Sequence, residues 1–478
     1  MDRNIHPDIG RGRRQSRLSG SARVQFVLLL ILSLSLLAFA EASGEEKGVR
    51  SLTLEEALQI TADKNKDIQK AREYQSWVEA RYVEERAIAL PQVIISGSVV
   101  NSNDESLKAF GPNFPTKRDT RNAGIGVSQP IFTWGQIGAS LRAAKVGLMT
   151  AEDQLRLYRQ AAFREVSTSF YDVLLAKTLN DIAIHNLKQK DRHYDEAQKK
   201  YSAGVATEYD VLAGKVDVEN ARPAVIRTEN LIRIAQERLR FLLGIGEQNV
   251  DAQGSLEAPI TEYPRYEEAL EMAWKARPEL SDFRHRIEIG KELVKIANAG
   301  DKPRLDFKGG FGWGSLDMGK DFQGDGSNWN AGLFVTFPIF DGLRTRGKVG
   351  AAKSDVATLK IEEAKLRDSI SVQVRDACNA VREAGEIVNA LSGTVTRSER
   401  LLYMAEKGYE YGVKTRLDVE DAETSLVQAR GNLAKAKRDY LVALVTLEWV
   451  KGTLGEKEGQ PLDLKARSSS PSGAPRLP

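Results

Sequence analysis

Between Gln136 and Ala203 the sequence has no proline, and its only glycines are Gly138 and Gly147. Such a stretch predicts a single helix, and at about 1.5 Å of rise per residue it would be about 100 Å long. Few compact domains can hold an element of that length. The chain that carries it must build a rod, a bundle of rods or a tube.

The rod belongs to a unit that is written twice. Glu55-Glu56-Ala57-Leu58 reappears as Glu267-Glu268-Ala269-Leu270, and the same offset carries Leu90-Pro91-Gln92 onto Lys302-Pro303-Arg304. Farther on, Pro130-Ile131-Phe132 maps onto Pro338-Ile339-Phe340. So do Tyr201, Gly204-Val205, Thr207 and Asp210-Val211 onto Tyr409, Gly412-Val413, Thr415 and Asp418-Val419. Repeat 1 covers 52–246, a linker 247–264, and repeat 2 covers 265–455. A second long helix is therefore expected over 343–411. The change of offset falls in polar loops, Asn101–Asn122 and Asp317–Asn328, where length varies at little entropic cost.

After each long helix the chain reverses at a Tyr-x-x-Gly-Val-x-Thr-x-x-Asp motif and returns over 207–243 and 415–452. The returning helices carry a seven-residue step, Val211, Val218, Val225, Ile232 and Leu239, with Gly214, Ala221, Thr228, Ala235 and Leu242 three further on. Repeat 2 has Val419, Leu426, Leu433, Tyr440 and Leu447, with Ala422, Ala429, Ala436, Ala443 and Val450. That pattern is a coiled-coil seam. Pro223 and its counterpart Gly431 weaken both returning helices at the same station and predict a shared bend. A helix before the strands, about Leu54 to Leu90, is half as long as the rod, so with the returning helix placed end to end it would line the rod's whole length.

On each side of each loop lies a candidate strand, within the pairs 93–131 and 304–339. Leu305, Phe307, Phe311 and Trp313 alternate onto one face with Trp329, Ala331, Leu333, Val335 and Phe337. Asp306, Lys308, Asn330 and Thr336 take the other face. One face suits lipid and one suits water, although a soluble hairpin with one buried face shows the same alternation. Four strands per chain fall short of the minimum of about eight for a membrane barrel, and open edges do not survive in lipid. If the hairpins are in a membrane, several chains must close the barrel together, with the rods continuing as a tube on one side.

Arg11, Arg13, Arg14, Arg17 and Arg23 precede the apolar run Val24 to Ala40, which stops short of the roughly 20 residues of a spanning helix and predicts a cleaved signal peptide over 1–42. Residues 1–40 hold six arginines and two aspartates, so the net charge of +3 falls to −1 once they are removed. That balance suggests no nucleic-acid partner. The single cysteine, Cys378, allows no internal disulfide and reads as a small buried residue. The segment 456–478, rich in Ser and Pro, reads as a disordered tail.

VSQPIFTWG and VTFPIFDGL before the long helices, KYSAGVATEYDVL and GYEYGVKTRLDVEDA at the tips, and ARPEL and LLG elsewhere resemble the TolC family of outer-membrane efflux proteins. The resemblance runs from about Leu52 to Gly455. It implies an α+β membrane protein with two helix-strand-strand-helix repeats per chain. It also implies a homotrimer with a 12-stranded outer-membrane β-barrel continued by a periplasmic α-helical barrel. The function implied is a passive outer-membrane exit duct of a tripartite efflux or type I secretion system. Its partners would be outer-membrane lipid, a periplasmic adaptor (membrane fusion) protein and an inner-membrane pump of RND or ABC type.

Physical chemistry explains most of each tip. Gly204 and Gly412 suit the left-handed position after a helix, Thr207 and Thr415 suit helix caps, and Asp210 and Asp418 complete capping boxes. Asp421 has no such structural role, and its repeat partner is Ala213. The resemblance implies that Asp418 and Asp421 form acidic rings around a pore. It further implies a latch in which Tyr409 and Lys414 reach toward Asp210 and Tyr209. Lys414 stands where the best-known relatives have arginine, so the two-pronged fork is missing. Gly204, Val205, Gly412 and Val413 would face the adaptor.

Nothing in the sequence points to an enzyme, a cofactor or a metal site. His185, His193 and His285 sit in no recognisable motif, and His185 and His193 read as solvated. The glycines of Gly309 to Gly314 lack the setting of a phosphate loop and fit a crowded barrel strand. The rival reading is a periplasmic coiled-coil adaptor or scaffold without a pore.

Overall fold

Both repeats lay down their elements in the same order. In the structure, a computed structural model, residues 50–257, 259–260, 263–319 and 323–455 are described. The expected signal segment and tail lie outside them. The order is β1 (Arg50–Leu52), α1 (Leu54–Lys64), α2 (Lys66–Ala87), β2 (Gln92–Asn103), β3 (Lys117–Phe132), α3 (Gln136–Ser202), α4 (Glu208–Leu243) and β4 (Val250–Ala252). Then follow α5 (Tyr266–Ala276), α6 (Pro278–Asn298), β5 (Arg304–Asp317), β6 (Gln323–Thr336), α7 (Arg344–Glu410) and α8 (Arg416–Lys451).

The rods α3 and α7 have 67 residues each, and both they and the returning helices end within one residue of the expected bounds. The heptad positions of α4 and α8 are buried or half-buried along their whole length, which is the predicted seam against α3 and α7. Pro223 lies inside α4, and Gly431 lies inside α8.

The helix expected over Leu54–Leu90 is instead two helices, broken at Asn65, and repeat 2 breaks at the matching Arg277. The reason is a three-way junction. The Asn65 side chain caps α2 by accepting from the Asp67 and Ile68 amides, and it donates to the Leu242 carbonyl at 2.7 Å. The end of α4 thus abuts the start of α2, so the two line α3 end to end. Gly244, with φ +69°, closes α4 so tightly that an added Cβ would lie 2.2 Å from the Lys64 carbonyl oxygen. In repeat 2, Gly452, φ +78°, makes the matching approach, an added Cβ lying 2.8 Å from the Ala276–Arg277 peptide. The two main buried clusters sit at these junctions. One holds Leu52, Val166, Phe170, Leu239 and Leu243, and the other holds Leu280, Ile370, Val374, Tyr440 and Leu447 together with Cys378.

The strands form a four-stranded antiparallel sheet in the order β2-β3-β5-β6, and they are longer than the sequence pattern indicated, at 12 to 16 residues. Register confirms the faces. Leu305 pairs with Val335, Phe307 with Leu333 and Phe311 with Trp329, while Lys308, Gly310 and Gly312 pair with Gly332, Asn330 and Asn328. Val93, Ile95, Val99 and Ile125 join the apolar face. The glycines make room on the polar face, since a Cβ on Gly310 would meet the Asn330 side-chain oxygen at 2.9 Å. Both outer strands, β2 and β6, keep an unpaired edge. No described helix is long and apolar enough to cross a membrane, a criterion that has no bearing on strands.

Sheet and rods meet at a left-handed step, Trp134-Gly135 in repeat 1 and Gly342-Leu343 in repeat 2. Each copy places its glycine at a different residue of the pair, leaving Trp134 and Leu343 at positive φ.

The junctions predict that Gly244→Ala or Gly452→Ala destabilises the protein by more than ~1–2 kcal/mol, the usual cost of a left-handed Cβ, because backbone must also move. Thermal unfolding followed by far-ultraviolet circular dichroism would show the lowered Tm. Gly246→Ala, at positive φ with nothing within 4 Å of the added Cβ, should show the conformational cost alone.

Candidate gate at the hairpin tips

Two helical reversals lie side by side at the end of the rods opposite the sheet. In each, the glycine takes the left-handed position, Gly204 at φ +74° and Gly412 at φ +75°. Thr207 caps α4, with Asp210 completing the capping box, and Thr415 and Asp418 do the same for α8. Val205 and Val413 are 75% and 77% exposed at the very tips. Tyr209 and Asp421 are also exposed.

Lys414 does not cross between hairpins. Its ammonium sits 3.2 Å from Asp418 of its own hairpin. The amide and hydroxyl of Thr415, with that lysine, hold the Asp418 carboxyl well below its ordinary value, at about 2. Tyr409 and Asp210 do come together, lining one cleft between the two hairpins, but the Tyr409 ring is faced by the Lys200 ammonium at 5.4 Å.

The residue that crosses is Arg416, at the first turn of α8. It contacts Asp217 of α4 at 3.0 Å, donates to the Asp210 carbonyl at 3.3 Å and is steadied by Glu420 at 2.6 Å. A second link lies two turns farther up. Glu423, 2% exposed, is gripped by three side chains of α3: Lys190 at 2.7 Å, the His193 Nε2 at 2.6 Å, and Gln189. Burial alone would push the Glu423 carboxyl up. The bonds from His193 and Lys190 outweigh it and bring the carboxyl down to about 2.

Sequence reading missed both links, though a signal existed. A cation at a helix N-terminus opposes the helix dipole, so Arg416 at that position implied an acidic partner. Its repeat counterpart, Glu208, has the favourable sign. Glu423 likewise stands where repeat 1 has Lys215. His193, expected to be solvated, is instead committed to Glu423. His185 is exposed as expected. His285 contacts the buried Asp153 at 2.7 Å, tying α6 to α3.

The sequence matches the outer membrane efflux protein family over residues 57–245 and 269–453. The chain belongs to that family. The two matched segments coincide with the two repeats. The outer membrane protein TolC of Vibrio cholerae is 24% identical over 382 residues, 78% of this chain and 84% of that protein. The alkaline protease secretion protein AprF of Pseudomonas aeruginosa is 23% identical over 397 residues, 78% and 79% of the two chains. Among solved structures, the CmeC outer membrane channel of Campylobacter jejuni superimposes with a TM-score of 0.71 at 17% identity, covering 84% of this chain and 85% of that one. The fold is therefore that of an outer-membrane efflux channel protomer, and the protein is an outer-membrane exit duct for efflux or secretion. A pore-less scaffold is set aside.

The lowered carboxyl values give the tip network a defined pH range. Because the Glu423 and Asp418 values lie below those of free carboxyls, their bonds support the fold in full above about pH 4.5 and are lost as pH falls through about 2. Amide hydrogen exchange in the first two turns of α8, corrected for intrinsic rates, should lose protection as pH falls below about 4.

Proposed function

We propose that three copies of the chain close into one passive duct, β6 of each copy pairing with β2 of the next, and that the hairpin tips form its periplasmic gate. The observation that carries this reading is the four-stranded sheet with two open edges and an apolar face left uncovered. Trp329, Leu333 and Val335 on that face are 77%, 65% and 69% exposed in the single chain, and open edges have no place in lipid. The rods support the same arrangement. On α4, Leu212, Val216, Ile226, Ile234 and Phe241 form one exposed stripe, and on α7 so do Ile361, Val372, Ile387, Leu401 and Met404. In a ring these two stripes meet between neighbouring copies.

A passive tube needs a partner to open it. The exposed Gly204-Val205 and Gly412-Val413 tips are the surfaces offered to a periplasmic adaptor, with an inner-membrane pump behind it. Asp418 and Asp421, three residues apart on α8, would place acidic rings at the entrance. Tyr209, Tyr409, Asp210 and Lys414 surround the same opening.

Two experiments test this reading. Leu333→Arg, on the lipid face, should cost ~2–4 kcal/mol of barrel stability at mid-membrane depth and abolish the detergent-stable trimer in outer-membrane fractions. Asn330→Arg, on the opposite face, should leave the trimer intact. Equal loss from both would overturn the barrel. In planar bilayers, Asp421→Ala, alone and with Asp418→Ala, should weaken block by divalent cations. Unchanged block and selectivity would remove the acidic rings.

A further inference from the structure

The four strands of one chain share a polar face, and its charges are few. By register, that face carries Arg304, Asp306 and Lys308 at the helical end of β5 and Arg118 at the far end of β3, with no other charge among the described residues. Asp306 is its only carboxylate, and Arg304 occupies it, the guanidinium Nε donating to both carboxylate oxygens at 2.9 Å. Arg118 lies near Asp104 of the adjoining loop. Lys308 is exposed, and no described carboxylate pairs with it. It also stands on the face opposite Phe307 and Phe311, so its ammonium cannot reach out to a lipid phosphate.

One aromatic ring on the polar face is set beside this cation. Phe334 follows Gly332, the residue that pairs directly with Lys308 across the ladder. Its ring lies over Gly332, where an added Cβ would come within 3.4 Å of it. The missing side chain thus lets the ring rise to the level of Lys308, whose ammonium is 5.3 Å from the ring centroid. Phe334 remains 49% exposed. Two residues farther along β5 an open trough of about 370 Å³ begins. Its floor is glycine backbone at Gly310 and Gly312, and its walls are the uncharged amides of Asn122, Asn328 and Asn330. Nothing along that trough competes with Lys308 for a negative group.

We propose that Lys308 and Phe334 form a cargo-contact station on the inner wall of the barrel, selective for organic anions that carry an aromatic ring. The anionic group meets the unpaired ammonium, the ring lies against Phe334, and the amide-walled trough receives the rest of the molecule. A lysine ring in a pore attracts anions through its field as well as by contact. The inference rests on the reading above that the polar face lines the duct.

The test uses the purified trimer in planar bilayers, with naphthalene-2-sulfonate added on the extracellular side. It should block the current more strongly than either methanesulfonate, which lacks the ring, or 1-naphthylmethylammonium, which has the opposite charge. Lys308→Gln should weaken block by naphthalene-2-sulfonate about fivefold, the size expected for one exposed cation contact. Lys308→Arg should retain it. Phe334→Leu should weaken block by the aromatic anion and leave that by methanesulfonate unchanged. Lys308→Glu should also move the zero-current potential in a KCl gradient toward cation selectivity. Equal block by the cationic analogue, or block that Lys308→Gln leaves unchanged, would overturn the station. Labelling separates that failure from failure of the duct reading. In a Cys378→Ser background, Lys308→Cys should react with a membrane-impermeant thiol reagent. An unreactive cysteine in a detergent-stable trimer would remove the polar face from the lumen and sink both. A reactive cysteine with unaltered block would sink the cargo contact alone.

Discussion

A β-strand in hydrocarbon must find a partner for every backbone amide and carbonyl, and four strands in a row cannot do so. Much of the rest of this protein follows from that shortage. The sheet joins the two repeats through β3 and β5, so one chain supplies a continuous arc with a free edge at each end. Closure requires other copies, and once copies surround an axis the helices hanging from the strands must surround it too. Rods of 67 residues extend the barrel into a tube without another domain.

Duplication makes this possible, and divergence between the copies makes it asymmetric. Where the two units are alike, they do the same work: Asn65 and Arg277 mark the same break, Gly244 and Gly452 close the same junction, and Thr207 and Thr415 cap the same turn. At two places where they differ, the difference falls on a surface that one hairpin presents to the other. Arg416 against Glu208 and Glu423 against Lys215 are charge reversals, and in each pair the repeat 2 residue carries the link between the two hairpins.

Much of the architecture could be read from the residues. The absence of proline set the rods, the seven-residue step set the coiled-coil seam, alternation in Leu305–Trp313 set an apolar face and a polar one, and the Gly-Val-x-Thr-x-x-Asp motif set the reversals and their caps. These signals are local, because each depends on helix or strand period or on backbone preference within a turn. Family resemblance contributed the duct and the acidic positions, and it placed Lys414 with Tyr409 in a latch toward Asp210 and Tyr209, whereas in the single chain Lys414 is bonded to Asp418 within its own hairpin.

What the tertiary structure alone decided are the contacts between residues far apart in the chain. That Glu423 meets Lys190 and His193 across 230 or more residues, that Asn65 reaches Leu242, and that β3 pairs with β5 all depend on how the two units lie beside each other. Residue periodicity specifies which face of a helix is buried, but not which neighbour buries it, because many apolar faces fit one another about equally well. The choice is made where charges and hydrogen-bonding groups must be matched in three dimensions. The sequence by itself therefore determined a duplicated, rod-and-strand protomer that cannot close alone, and the tertiary structure decided which residues tie its two hairpins together.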